Sequence, residues 1–306
     1  MKQFTAAFGN ATINPASTDQ QMFDEITTFS DMVYNEIATA RTICKRLYLY
    51  FVHSNIDSEI ENDIINPLAT QLYNDNYNIE NTMKLLLKSE HFYDQDDSVN
   101  NDEIIGGMIK SPLQQVSEII NFFNIDLPDP DSMTEEYYEE FFNKFITKSH
   151  SIACGMEFLN PDSVAGYPAY YQEPGYDKLW FTSSTIIARY RLFESFLTGK
   201  NEIKGINRNI EVILDIVDFV KNSPVFSDPS KSGELVDDLI SYLLPETPDM
   251  DRRNYYLNDV FLIGNLPSYW TTEWTNYMGS GDTSVVKPRL EALAKAIMNS
   301  PELQLF

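Results

Sequence analysis

Apolar residues in this chain return at the helical period. Nowhere do they alternate long enough to support a sheet. The clearest case is Ile37, Ala40, Cys44, Leu47, Tyr48 and Phe51, spaced i, i+3, i+7, i+10, i+11 and i+14, which is one face of an α-helix. Arg41 and Lys45 fall between them, on the side expected to meet solvent. Cys44 lies on the apolar stripe and reads as a small buried hydrophobe rather than a nucleophile. Asp57 and Asn78 stand where N-caps belong, ahead of the stripes Ile60, Ile64, Ile65, Leu68, Leu72 and Ile79, Met83, Leu86, Leu87. Pro67 interrupts the first of these stripes, so that helix either kinks there or restarts with Asn66 as cap.

The same period runs along the rest of the chain. Met22, Ile26, Phe29 and Val33 form a stripe capped near Thr18 or Asp19. Ser111-Pro112 opens a helix whose inner face is Leu113, Val116, Ile119, Ile120 and Phe123. A helix opening at Thr134-Glu135-Glu136 is expected to carry Tyr138, Phe141, Phe142, Phe145, Ser149, Ile152, Ala153 and Met156 inward, with His150 off the stripe. Leu179 to Leu197 is expected to face Leu179, Ile186, Ile187, Tyr190, Phe193 and Leu197 inward, with Arg189 and Arg191 near its middle. Ile210, Ile213, Leu214, Val217 and Val220 predict a further helix. Trp270, Trp274 and Tyr277, at i, i+4 and i+7, read as core or interface. Lys2 to Asp19 reads as an irregular lead-in. The fold class is all-α, an irregular multi-helix assembly with long ordered loops. Its expected organisation is a helical region over 1–158 and a loop-led helical region over 159–306, packed as one unit.

Several phrases, in order, carry a family resemblance: KQFTAAFGN, RTICKRLYLYFVHSNID, IINPLATQL, LLLKSEHFYD, IKSPLQQVSEIINFF and LNPDSVAGYPAYYQEPGYDKLWFTSST. As a set they resemble the bacterial family called domain of unknown function 1800, in its Bacteroidota-type form. Members usually extend upstream of the first phrase, so the resemblance implies a C-terminal portion of such a protein. Members are also commonly exported, which implies a periplasmic or extracellular setting at the envelope. The resemblance implies no chemistry, because the family's function is not established.

Composition narrows the partners. Lys and Arg number 22 against 46 Asp and Glu, a net charge of −24. Such a field repels nucleic-acid phosphates, so nucleic acid is not an expected partner. No apolar run approaches the ~18–20 residues that span a bilayer, and no signal peptide is visible. Cys44 and Cys154 are the only cysteines, too few for a disulfide framework. The acidic run after Tyr93 lacks the ligand spacing of a calcium loop. No second ligand is read at i+4 from His53, His91 or His150, so no histidine-built metal site and no cofactor is expected.

The chemistry has one plausible home. Residues 160–178 break the helical period with three prolines, two glycines and four tyrosines, an unusually aromatic loop. Tyr167, Tyr170, Tyr171, Tyr176 and Trp180 offer flat apolar faces with polar tips. Asn160, Gln172 and Asp177 add hydrogen-bonding groups, and Arg189 follows on the next helix. This set suits a glycan or a partner protein and makes a non-enzymatic, envelope-associated binding protein the first reading. The alternative is a hydrolase acting on an extracellular polymer through the loop carboxylates Asp162, Glu173 and Asp177. No catalytic signature decides between them.

Overall fold

The computed structural model describes residues 1–93, 107–127, 131, 135, 139–161, 164, 179–199 and 212–306. The chain divides into two compact units, Met1–Ile104 and Ile105–Phe306. Helix dominates both. The single regular sheet among the described residues is a two-stranded antiparallel ribbon, β1 (Lys2–Gln3) against β2 (Thr12–Ile13), within the stretch read as an irregular lead-in.

The smaller unit runs α1 (Asp19–Tyr34), α2 (Ile37–Phe51), α3 (Ser58–Ile60), α4 (Asn66–Asn74) and α5 (Ile79–Leu87). Its caps are those expected. Thr18 accepts from the Gln21 N–H, Asp57 from the Glu59 and Ile60 N–H groups, and Asn78 from the Glu80 N–H. Its core gathers Ala40, Cys44 and Tyr48 of α2 with Ile60, Ile65, Leu68, Leu72 and Leu86. Ile37 and Phe51, at the two ends of the expected stripe, are exposed instead. The Tyr48 hydroxyl lies 2.9 Å from His91 Nε2, a pairing that satisfies two buried polar groups at once. Asn66 does not act as a cap that restarts the run at Pro67; it is the first residue of α4. The preceding turn, Glu61–Ile65, is π-wound and passes directly into α4. Widening the turn to i→i+5 spacing accommodates a ring that has no N–H to give.

The larger unit contains α6 (Pro112–Phe122), the π-wound helix α7 (Glu139–Ile152), α8 (Ile186–Thr198), α9 (Ile216–Asn222), α10 (Ser232–Leu243), α11 (Met250–Asn254), α12 (Pro267–Ser280) and α13 (Val286–Met298). Ser111 and Gln114 close a full capping box at the start of α6, with Pro112 in the first turn. One core joins Phe145, Phe193, Val220, Leu239, Trp270 and Leu293. Trp270 packs against Phe261 with ring centroids 4.5 Å apart and the rings tilted by 56°, and its indole N–H donates to the Pro229 carbonyl at 2.8 Å. The C-terminal residues return to the start of the unit. Ile109 bridges Leu305, the Lys110 N–H donates to the Gln304 carbonyl, and the Phe306 N–H donates to the Met108 carbonyl.

Helix phase departs from expectation in three places. In α7 the buried residues are Phe141, Phe145, Ile146, His150 and Ser151, while Ser149, Ile152 and Ala153 are exposed. A π-wound helix repeats on one face every four to five residues, so a 3.6-residue reading loses phase beyond Phe145. His150 is therefore on the buried face, not off it. In α8 the buried face is Arg189, Leu192, Phe193, Phe196 and Leu197, and Ile187 is exposed. Residues 212–215 are not helical. α9 begins only after Asp215, whose side chain accepts from Val217 and Asp218. No helix among the described residues is long and apolar enough to cross a membrane.

Candidate functional site

The departures in α7 and α8 converge on one buried polar cluster. The π-winding of α7 turns His150 inward and brings Cys154, one turn on, to 3.7 Å from His150 Nδ1. α6 supplies the Pro112 carbonyl, 3.3 Å from His150 Nε2, and the side chain of Gln115. α8 supplies Arg189, and the returning C-terminal residues supply Gln304. Arg189 is 1% exposed. Its Nε donates to Gln304 Oε1 at 2.8 Å, and its Nη2 donates to the Lys110 carbonyl at 2.9 Å. Gln115 Nε2 donates to the same Gln304 oxygen at 3.0 Å. One arginine thus fastens α8 to two distant stretches of chain.

The charge state of the cluster follows from its burial. Removal from water, reinforced by the Arg189 guanidinium, takes His150 from 6.5 down to about 4, against the opposing pull of the Pro112 and Ala188 carbonyls. The imidazole is neutral at physiological pH. With Nε2–H donating to the Pro112 carbonyl, Nδ1 is left to accept the Cys154 thiol proton. Burial pushes the Cys154 thiol up to about 11, although Arg189 draws it down. Burial also lowers Arg189 itself, but a guanidinium remains charged in protein interiors. Lys110 is paired with Glu118 at 2.7 Å. Among the described residues no carboxylate lies within ion-pair distance of Arg189, and its Nη1 and Gln115 Oε1 are buried without hydrogen-bond partners. Also among the described residues, no group of three His, Cys, Asp or Glu side chains is placed to hold a metal ion. The chemistry of this cluster is that of a rigid, water-excluded tie carrying one positive charge.

The tie lies under the ends of the aromatic segment. Gly155 adopts a left-handed conformation, φ +84°, and a Cβ there would sit 3.4 Å from the Leu179 carbonyl oxygen. The chain therefore leaves after Gly155 and is back beside it at Leu179. Beyond that point Thr185 Oγ1 donates to the Trp180 carbonyl at 3.0 Å and receives the Thr182 N–H at 2.8 Å. This knot leads into α8. Phe181 stacks 5.7 Å from the Arg189 guanidinium. Of the residues expected to bind a ligand, Asn160 is exposed, with its N–H donating to the Glu157 carbonyl at 3.1 Å. Trp180 is half-buried and Arg189 is fully enclosed. Tyr167, Tyr170, Tyr171, Gln172, Tyr176 and Asp177 lie outside the described residues, as do the carboxylates Asp162 and Glu173 and the acidic run after Tyr93.

Sequence reasoning passed over His150, Cys154, Gln115 and Gln304. Two signals were present. Cys154 stands four residues after His150, which corrects the expectation that no ligand-type residue lies at i+4 from that histidine, and Gln115 falls on the inner face of α6 between Pro112 and Ile119. Neither identifies Gln304, which is 115 residues from Arg189.

Both thiols are inaccessible. Cys44 and Cys154 are each fully buried, and burial lifts Cys44, like Cys154, to about 11. Neither is expected to react with a thiol reagent in the native protein, because the thiolate is the reactive form. Both should react after denaturation, as followed by mass spectrometry. Fast native labelling of either would show that its helix face is open to solvent.

This is an all-α chain whose larger unit encloses an arginine tie. A family model described as a protein of unknown function, DUF1800, matches residues 3–305, and the chain belongs to that family. No curated protein and no solved structure matches it.

Proposed function

We propose that this protein is a non-enzymatic binding protein whose ligand surface is the aromatic segment from Asn160 to Trp180, and that its ligand is a glycan of the bacterial envelope. The observation that carries the reading is the closure of that segment: Gly155 and Leu179 are side by side, and the Thr182–Thr185 knot fastens the exit onto α8. Holding both ends of a segment reduces the conformational freedom it loses on binding. Pro161, Pro168 and Pro174 restrict it further. Tyr167, Tyr170, Tyr171 and Tyr176 then supply flat faces for sugar rings, and Asn160, Gln172 and Asp177 supply donors and acceptors for hydroxyl groups. The envelope setting follows from the family resemblance. Arg189 serves as a positioning residue beneath the surface.

Single Tyr→Ala changes at these four positions test the proposal by thermal melting alongside binding to a panel of envelope glycans. Melting temperatures are expected to stay within about 2 °C of wild type, a shift that corresponds to at most ~1 kcal/mol for a unit of this size. Glycan binding is expected to fall at two or more of the positions. Sharp destabilisation at every position without loss of binding would make the tyrosines core packing. Release of reducing ends by the wild type, abolished in Glu173→Gln or Asp177→Asn, would replace binding with hydrolysis. Binding of a partner protein but of no glycan would transfer the surface to that partner.

A further inference from the structure

Residues 1–39 build a ribbon, a helix and a turn, yet they stand outside the core of the smaller unit. The buried side chains of that core begin at Ala40. Of residues 1–39 only Ile13 is buried, and it is not part of that core. Helix α1 is 16 residues long and buries none of them. The ribbon and the helix hold instead to each other. Phe4 lies 5.8 Å from Phe29 of α1 and 6.2 Å from Phe8, and Lys2 is paired with Glu25 of α1. Most helical stability comes from packing an apolar face, so a helix of this length without that support is marginal in water.

The segment is fastened at its last turn. The Tyr77 hydroxyl donates to the Tyr34 carbonyl at 2.6 Å, and the Tyr73 hydroxyl donates to the Asn35 carbonyl at 3.2 Å. The rings of Tyr34 and Tyr77 meet edge to face with centroids 4.8 Å apart. Two phenols thus hold the carbonyls where α1 passes into α2. Tyr77 is rooted in the rest of the unit, because its ring also packs against the core. Its backbone holds φ +61°, beside Asn76 at +49°, in the left-handed region that a side chain of that size seldom adopts. Such a conformation persists only where its surroundings over-determine it. The grip on the α1–α2 turn is one of those surroundings, so releasing the turn also frees Tyr77 to relax.

We propose that residues 1–34 form a hinged arm that opens as one body about Asn35 and Glu36, with Tyr73 and Tyr77 as its latch. Opening breaks the two phenol–carbonyl hydrogen bonds and the Tyr34–Tyr77 contact and leaves the core from Ala40 onward in place. The arm has the physical marks of a segment of low local stability, namely few buried apolar groups and a helix open to solvent, and the moving elements of proteins are drawn from such segments. A hinge needs only a few residues at the end of an element to absorb the change in φ and ψ. Once released, α1 is a short helix in water that frays readily, so its amides report the opening.

Native-state hydrogen exchange of the full chain is the test. In the wild type the amides of the ribbon and of α1 are expected to share one opening, with protection about tenfold or more below that of α2 and α4. Tyr77→Phe keeps the ring and removes the hydroxyl. It is expected to speed exchange in the arm by about fivefold, the effect of losing one ordinary hydrogen bond, and to leave α2 and α4 unchanged. Tyr73→Phe is expected to act in the same direction, and it supplies the reading if Tyr77→Phe folds poorly. Protection of α1 equal to that of α2 in the wild type would overturn the proposal, since the arm would then open only with the whole unit. Independent exchange of the ribbon and α1 would overturn the single body. Unchanged exchange in the phenylalanine variants would remove the latch. An equal rise throughout the smaller unit would make both tyrosines general supports of the fold and would overturn the hinge.

Discussion

Lowering the pH through the window from 6.5 to about 4 is expected to destabilise the larger unit by about 3 kcal/mol through His150 alone, at ~1.36 kcal/mol per pH unit. The sign follows from the direction of the change. The folded protein holds His150 neutral to about 4, whereas an unfolded chain takes up the proton near 6.5. Between those values the unfolded state binds more protons, so stability falls as pH falls. Below about 4 this contribution is constant. Burial is the main cause and the Arg189 field the second, so the effect belongs to the enclosed cluster and not to surface charge. Carboxylates act in a lower window. Asp228 and Asp282 are held below their ordinary value by hydrogen bonds from Ser230 and Ser284, and those contributions are lost as the pH drops through their own, lower values. Urea denaturation followed by tryptophan emission isolates the larger unit, because Trp180, Trp270 and Trp274 are the only tryptophans and all lie in it. His150→Gln, whose amide can still donate to the Pro112 carbonyl, should flatten the dependence between 6.5 and about 4 while leaving the steeper acid limb in place. Parallel profiles for wild type and variant would remove His150 from this role.

That cluster marks the limit of what was legible in the residues. Local chemistry was readable: Asp57, Asn78 and Ser111-Pro112 cap the helices they were expected to cap, because a cap is decided by its own side chain and the next three N–H groups. Helix existence was readable from the apolar period, as with the Trp270/Trp274 pair, buried at the centre of the larger core. Phase failed where winding departs from 3.6 residues per turn, and that is why His150 was placed on the wrong side of α7. It failed again in α8, where the habit of turning arginine outward displaced the expected face from Arg189 to Tyr190. α1 illustrates a third limit. Its stripe was correctly seen as helical, but a stripe states only that something apolar is to be covered, not that this chain covers it. Of the expected ligand-binding residues, only Asn160, Trp180 and Arg189 fall among those described. Those three sit at or below the ends of the segment.

Replacing Arg189 is expected to cost the larger unit more stability than replacing any other member of its buried polar cluster. Arg189→Ala removes two hydrogen bonds from a charged donor, at about 1.5–3 kcal/mol each, and leaves a cavity between α6, α8 and the returning C-terminal residues. The Lys110 carbonyl loses its Arg189 donor, and Gln304 Oε1 keeps only Gln115. Against this stands the relief of a buried guanidinium with no carboxylate beside it among the described residues, a desolvation cost of several kcal/mol. The two effects are separable. Arg189→Met keeps much of the volume and removes the charge, so it is expected to cost less than Arg189→Ala, about 1–3 kcal/mol. Arg189→Lys keeps the charge but lacks the planar fork, and a single ammonium cannot hold both acceptors at the angle the guanidinium does. It is expected to be as damaging as Met or more so. Because Arg189 is one of the causes that depress His150, Arg189→Met should also raise the histidine toward its ordinary value and shrink the acid-linked loss of stability. Changes at His150 and Arg189 are therefore expected to be non-additive in a double-mutant cycle, by about 0.5 kcal/mol or more. A methionine variant more stable than wild type, with an unchanged pH profile, would mean that desolvation outweighs the two hydrogen bonds and that the arginine does not hold α8 to the ends of this unit.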